Sequence, residues 1–478
     1  MSHNDTHDTT DALLNAPVNK TLLLMSAPIS LGMLSTFLFQ VVDTYFVAKL
    51  GSAPLAALGF AATVYFLLVG LFMGVAVGVS SLVAKALGQK DIHLARRYTT
   101  VSLVLALALS IGLSVLGIFS LDPLFQVLGA KASILPHIRD YMVVLYLGLP
   151  LLIVGLLGGS ALRATGDVKP PEIVMMIAGV INVVVDPILI FGAGPIPKMG
   201  IRGAAVATVL SWAFIFVCTM ALLLRKRLLT LHKGELGAEL RELGRLSLPA
   251  TLAQALLPIT SMFVTYLTAK SGSEAVAAFG VATRIETLLL VGILAMSVAI
   301  VPFVAQNYGA QDQQRIDQAI VTAGKTAMYW GGALFIILVF LAAPIARMFS
   351  HDPTVLSYTK LYFYLVAFSY APYGIVLMTS SIFNGVQIPG TSLRILLVKT
   401  FVFTFPLTFV GSYFGVAGIF AALSASNLLG FLYASRSMKQ YFAQSDSNLE
   451  DAKPMDSYIA DWRAIMHRIK TKWSSPSS

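Results

Sequence analysis
The chain has 478 residues, 57% hydrophobic and 12% charged, with a mean hydropathy of +0.79 and a formal net charge of +10. That apolar content exceeds what a soluble core of this length can bury, which excludes a soluble globular protein and predicts a polytopic membrane protein. The positive charges are spread over many short loops, which argues against a nucleic-acid surface or a lipid-specific basic patch.

Residues 1–20, MSHNDTHDTTDALLNAPVNK, form a polar, partly acidic tail with no basic region ahead of the first apolar run, so no cleaved signal peptide is expected. A bilayer crossing takes about 20 residues, and twelve apolar runs satisfy that length: 21–48, 54–86, 98–120, 136–160, 171–192, 201–225, 247–269, 275–306, 322–349, 358–384, 392–411 and 415–436. The expected fold class is an all-α polytopic membrane protein. Lys and Arg gather after even-numbered runs, as at Lys85, Lys90, Arg96 and Arg97, then Arg163 and Lys169, then Arg225, Lys226, Arg227, Lys233, Arg241 and Arg245. The positive-inside rule therefore places both termini in the cytoplasm of a bacterial-type plasma (inner) membrane. The tail at 437–478 sets Trp462 and Trp473 among basic residues, which suits either a segment on the inner membrane surface or one without fixed structure. The single cysteine, Cys218, lies mid-helix and excludes an intrachain disulfide.

The two halves repeat. Pro28 and Pro249 stand 221 residues apart, and the same offset takes Lys49 to Lys270, Gly51 to Gly272, Gly59 to Gly280, Gly88 to Gly309, Asp91 to Asp312 and Pro123 to Pro344. After a six-residue contraction, Gly200 falls on Gly415 and Ser211 on Ser426. Six spans is an even number, so the repeats are parallel, related by an axis along the membrane normal. The expected domains are a tail at 1–20, a six-helix lobe at 21–225, a cytoplasmic linker at 226–246, a second six-helix lobe at 247–436 and a tail at 437–478. Paired lobes suit alternating access, although duplication can also simply record how a fold arose.

Two acids stand inside apolar spans of the first lobe: Asp43 in FLFQVVDTYFVAKL and Asp186 in VINVVVDPILIFG. A carboxylate at membrane depth costs several kcal/mol unless neutralised, paired or hydrated, so its default reading is a proton or cation site on a transport path. The 221-residue offset maps Asp43 to Val264, and Asp186 falls near Phe405, so the charge is confined to one lobe. Both acids lie about five residues before the outer ends of their spans, at similar depth for a rise of about 1.5 Å per residue. Asn182 stands one turn before Asp186 on the same face, Thr208 enters from the same side in the sixth span, and Tyr141 lies near the outer end of the fourth. This oxygen-rich layer suits Na⁺, held by Asp43, Asn182, Asp186 and Thr208, or a proton shared between the carboxylates. Duller readings stand beside it: Asp186-Pro187 as a polar plug at a helix break, Asn182 and Thr208 as interhelical hydrogen bonds, and Tyr141 as an interfacial aromatic.

Glu286, in ATRIETLLLVG, is a third deep acid and a candidate gate or second coupling residue. The neighbouring Arg284 does not share its face, but its long side chain can reach back to compensate it, and a structural ion pair is the alternative. Gly324-Lys325-Thr326 resembles the end of a phosphate-binding loop, but Ala319 replaces the first glycine and the setting is an apolar span, so direct ATP drive is not expected. No nucleophile elbow, HExxH run or Cys/His metal spacing appears, and enzymatic chemistry has no visible residues. Phe37, Phe39, Tyr65, Met262 and Phe263 are candidate lining for a substrate cavity.

Taken together, Asp43 in VVDTYFVAKLG, the paired Gly-Ser turns, Gly88-Gln89, Asn307-Tyr308-Gly309, Asn182 with Asp186-Pro187, the run Gly203 to Thr208 and Arg284-Ile285-Glu286 give the chain a resemblance to MATE (multidrug and toxic compound extrusion) transporters, most closely the DinF-like branch, over about residues 20–436. The resemblance implies a non-enzymatic antiporter that needs no cofactor. It would act as a monomer in the lipid bilayer and export organic cations or amphiphiles against H⁺ or Na⁺. It puts the cation site on Asp43, Asn182 and Asp186, with Thr208 as the sixth-helix hydroxyl and Tyr141 as the fourth-helix tyrosine. Two departures stand out. The second lobe lacks acids in its first and fourth helices, where NorM-like branches carry them, and the loop GAGPIPKMGIRG is four residues longer than usual. A lipid-linked flippase of the wider superfamily is disfavoured by the scarcity of deep basic residues, and a non-transporting receptor or scaffold is the remaining rival.

Overall fold
A computed structural model describes residues 13–230, 234–350 and 352–442, with the side chain of Phe442 left aside. Residues 1–12 of the expected N-terminal tail, and Trp462 and Trp473 with the rest of 443–478, lie outside the described residues. Among the described residues twelve helices are long and apolar enough to cross a membrane. They are α1 (Val18–Ala48), α2 (Ser52–Gly88), α3 (Ile92–Phe119), α4 (Leu135–Ala164), α5 (Lys169–Phe191), α6 (Ile201–Arg225), α7 (Leu236–Ala269), α8 (Ser273–Leu289 continued by Val291–Gly309), α9 (Gln313–Phe349), α10 (Pro353–Gly385), α11 (Pro389–Ser412) and α12 (Gly415–Phe442). Among the described residues the only β-type pairing is the isolated bridge between Ala193 and Ile196.

The helices outrun the apolar windows wherever polar residues can still be satisfied. α7 begins at Leu236, inside the segment expected as a linker, because Glu239 pairs with Arg97 and Arg245 bonds Glu242 three residues earlier at 3.0 Å. Proline does not break the spans either: α1 runs through Pro28, α5 through Pro187, and α7 through Pro249 and Pro258.

The duplication is written in the backbone. Asp91 caps α3 by accepting from the Leu94 amide at 2.9 Å, and Asp312, 221 residues later, caps α9 by accepting from Arg315 at 3.1 Å. Lys90 and Gln311, again 221 apart, both sit in the left-handed region at φ 61° and 60°, as do Gly166 and Gln387 at 87° and 67°. Within each lobe the fourth helix is central: α4 packs against α2, α3 and α6, and α10 against α8, α9 and α12. Twelve helices in two pseudo-symmetric six-helix lobes result.

By contacts the chain divides into two compact units: Met1–Pro258 with Val301–Ala310 and Asn384–Leu393, and Ile259–Ile300 with Gln311–Phe383 and Arg394–Ser478. The first unit thus gathers helix ends from both halves, with the last turns of α8 and the α10–α11 connection joining the helices of the first half. There Gly88 and Gly309 make reciprocal backbone contacts: a Cβ on Gly88 would fall 2.0 Å from the Gln306 carbonyl oxygen, and one on Gly309 2.2 Å from that of Lys85. Side-chain bonds secure the seam. Gln306 Nε2 donates to the Ala164 carbonyl at 2.7 Å, Ser81 Oγ to that of Asn384 at 2.7 Å, and Gln387 Nε2 to Ser81 Oγ at 2.6 Å.

On the opposite side, Gly51 (φ 118°, ψ 178°) and Gly272 (φ 113°, ψ 167°) turn the chain through a region that only glycine enters freely. We expect Gly51→Ala and Gly272→Ala each to destabilise the protein by about 1–3 kcal/mol. Gly59→Ala, an exposed helix-interior position with open space around it, should be neutral or stabilising by up to about 1 kcal/mol. Thermal melts of the detergent-solubilised protein check both signs.

Candidate functional site
The site begins with a helix contact. The ring of Phe39 on α1 rests on Gly179 of α5, where any Cβ would fall 1.7 Å from ring carbons. One turn beyond Phe39 stands Asp43, and one and two turns beyond Gly179 stand Asn182 and Asp186, so this seat brings the acids of two helices to one level. The long loop after α5 then folds back on that helix, the amides of Met199 and Gly200 donating to the carbonyls of Leu189 and Ile190 at 3.0 and 3.1 Å. Gly203 lies so close to Leu189 that a Cβ would fall 2.5 Å from its carbonyl oxygen. α6 is thereby drawn against α5, and Thr208 comes level with Asn182.

All five residues expected as a cation site come together. The Asp43 and Asp186 carboxyl groups face each other. Asp186 is fully buried, and its Oδ1 accepts from Asn182 Nδ2 at a loose 3.4 Å. The same amide nitrogen lies 3.5 Å from Thr208 Oγ1, and the buried Tyr141 hydroxyl faces Thr208 with both acids in its electrostatic range. Asp186 Oδ2 and Asp43 Oδ1 are buried and find no hydrogen-bond donor among the described residues. Two facing carboxylates, each with an oxygen that no donor reaches, repel at close range, and a positive charge between them, a proton or a small cation, relieves both. Among the described residues no group of three or more His, Cys, Asp or Glu side chains forms a metal site. A metal cation here would rest on the two acids and neutral oxygens, a set suited to a hard monovalent ion.

The expected cavity residues do not share one environment. Phe39 is committed to the α1–α5 contact, and Phe37 is half-buried. Tyr65 stacks on Trp212 of α6 with ring centroids 5.9 Å apart and planes 8° from parallel. In the second unit, Met262 is 72% exposed, whereas Phe263 stacks on Phe405 at 4.0 Å. Trp212, 5% exposed, was not singled out in the sequence; a lone tryptophan amid aliphatic residues of α6 was the available signal.

Arg284 does not share the face of Glu286, in line with their spacing, and its side chain does not reach back to it. Arg284 is exposed and forms no ion pair among the described residues, because the helical pitch turns it to another face. Glu286 instead accepts from the Tyr362 hydroxyl, and the positive charge it feels is Lys399 of α11.

The MatE family model matches the chain twice, over residues 28–188 and 249–410, in keeping with the repeat. Among curated proteins the chain is 36% identical over 422 residues to a protein named FAD transporter from Shewanella oneidensis, covering 87% of this chain and 93% of that one. It is 27% identical to the probable multidrug resistance protein YoeA of Bacillus subtilis, covering 74% of this chain and 78% of that one. Among solved structures, the Vibrio cholerae MATE transporter VcmN in its bent form superposes with a TM-score of 0.85 at 26% identity, covering 91% of this chain and 98% of that one. With the family pattern present in both halves and twelve apolar helices carrying it, the chain belongs to the MatE family of integral membrane transporters.

Proposed function
We propose that the protein is a secondary active antiporter that exports cationic or amphipathic organic compounds in exchange for H⁺ or Na⁺ by alternating access. It would act as a monomer in a bacterial-type plasma membrane with both termini cytoplasmic. The observation that carries this reading is the pair of facing carboxyl groups of Asp43 and Asp186, each with a buried oxygen, Asp43 Oδ1 and Asp186 Oδ2, that finds no donor among the described residues. A cation entering between them removes their repulsion and draws α1 toward α5, and its departure lets the helices separate. An ion shifts such an equilibrium only by its difference in affinity for the two arrangements, and the α1 position on either side of Phe39–Gly179 is the element it biases. The main-chain contact at Gly88 and Gly309 is the one that would part for the site to face the cytoplasm.

Relatives named for multidrug resistance support an organic substrate. The relative named FAD transporter supports a second reading, export of a negatively charged aromatic dinucleotide. The proposal keeps the DinF-like branch that the resemblance implies, and places no coupling acid in the second lobe's first and fourth helices, since the apolar part of α7 and all of α10 have none. Among the described residues, Glu286 and Lys399 are the oppositely charged groups at depth in that lobe.

Reconstitution in proteoliposomes with an imposed pH or Na⁺ gradient tests the reading: uptake of a fluorescent organic cation that follows either gradient is expected, and its absence rules out the antiporter. Asp43→Asn and Asp186→Asn each remove a charge-assisted interaction worth about 1.5–3 kcal/mol, so the coupling-ion affinity should fall by about 10–100-fold. Transport at unchanged ion dependence in both variants would dismiss the carboxylate pair as the coupling site. Gly179→Ala should displace Phe39 and separate the acids, lowering gradient-driven transport while leaving both carboxylates in place; full transport would show that the seat does not position them.

A further inference from the structure
The offset of 221 residues that superposes the two halves takes Tyr141 to Tyr362 and Tyr65 to Glu286. Those counterparts also meet in the structure, since Tyr362 donates its hydroxyl proton to Glu286. The second lobe therefore carries a polar cluster at the position equivalent to the first-lobe cation site, with different chemistry. Where the first lobe sets Asp43 and Asp186, the second has Val264, 1% exposed, and Phe405 stacked on Phe263. In place of a second acid it has Lys399.

Lys399 lies near the middle of α11, inside a π-helical turn, Val398–Thr404, in which the Thr404 hydroxyl donates to the Lys399 carbonyl at 2.8 Å. Such turns interrupt a regular helix and recur at functional positions. The side chain points into the lobe rather than toward lipid. Its ammonium stands 5.2 Å from the centroid of the Tyr373 ring on α10, and its stem passes Gly430 of α12 so closely that a Cβ there would lie 3.1 Å from Lys399 Cγ. Among the described residues the ammonium makes no ion pair within 4.0 Å. Glu286 feels its charge but gives its oxygen to Tyr362. Beside them the Tyr370 hydroxyl, fully buried, is turned toward Glu286 and finds no hydrogen bond of good geometry.

A lysine kept only to neutralise Glu286 would bond it directly, since an ammonium at membrane depth is costly until paired. Here three ammonium protons and a buried hydroxyl are left over beside an aromatic face, a set that fits an anionic oxygen group carried by a flat organic molecule. We propose that Lys399, Tyr370 and Tyr373 form a substrate subsite in the second lobe that takes the phosphate or carboxylate group of the exported compound, with Glu286 competing for the same ammonium. This deepens the transport reading and rests on it. The substrate class widens from organic cations to anionic and zwitterionic aromatic compounds, recognised in one lobe while the coupling ion is held in the other.

The test uses a matched pair of probes, riboflavin 5′-phosphate and riboflavin, which differ only in the phosphate. In detergent, flavin fluorescence reports equilibrium binding, and in proteoliposomes the same two compounds report gradient-driven movement. Wild-type protein is expected to prefer the phosphorylated probe in binding. Lys399→Gln should reduce that preference by about tenfold or more, the loss of a charge-assisted bond. Lys399→Arg should keep most of it, and Glu286→Gln should strengthen phosphate binding by removing the competitor. An absent preference in the wild type, or an unchanged preference in Lys399→Gln, overturns the subsite. Equal loss of both probes in Lys399→Gln and Lys399→Arg also overturns it, because the lysine then serves packing alone. The binding arm stands apart from the antiporter reading, which fails separately if binding persists and neither ion gradient moves a probe.

Discussion
Asp43 and Asp186 place two carboxyl groups face to face, each with one buried oxygen that finds no donor among the described residues, and the rest of the first lobe follows from holding them there. A charge at this depth is tolerated only if something positive visits it or something polar surrounds it. The first lobe supplies one amide nitrogen shared between Asp186 and Thr208 at 3.4 and 3.5 Å, and little else. Under-satisfaction of this kind is destabilising in a static protein. In the proposed cycle, it would be the source of the ion's preference for one arrangement of helices, because a fully satisfied pair would have nothing to gain from binding a cation.

Small residues make that arrangement possible. Gly179 admits the Phe39 ring, Gly203 admits the end of α5, and Gly74 and Gly78 admit Thr251 and Ser247 of α7 at distances a Cβ would forbid. In a bilayer, where lipid is as apolar as any side chain, close backbone approach and van der Waals contact replace the hydrophobic effect as the force between helices. The glycines therefore set which faces meet.

Much of this was legible in the sequence. The twelve spans follow from apolar length, and the repeat from Pro28, Gly51, Gly88 and Asp91 recurring at one offset, down to the matched left-handed turns at Lys90 and Gln311. The grouping of Asp43, Asn182, Asp186, Thr208 and Tyr141 followed from depth along the helices, a one-dimensional quantity that sequence supplies. Azimuth and helix pairing it does not supply. Hence the seating of Phe39 on Gly179, and the charge of Lys399 that reaches Glu286 from over a hundred residues away in sequence, were not legible. The start of α7 at Leu236 escaped because hydropathy falls where Glu239 and Arg245 find ionic partners.

The reciprocal contact of Gly88 with Gln306 and of Gly309 with Lys85 is made by main-chain atoms, which carry no net charge. A membrane potential acts on a unit charge with about 2.3 kcal/mol per 100 mV and exerts no net force on those atoms, so at this seam it acts through the Lys85 ammonium, which lies 5.9 Å from the centre of the Tyr308 ring. In the proposed cycle, voltage would then act on the ion between the carboxylates and on Lys85, while short-range packing of the main chains sets how closely the two helix ends approach.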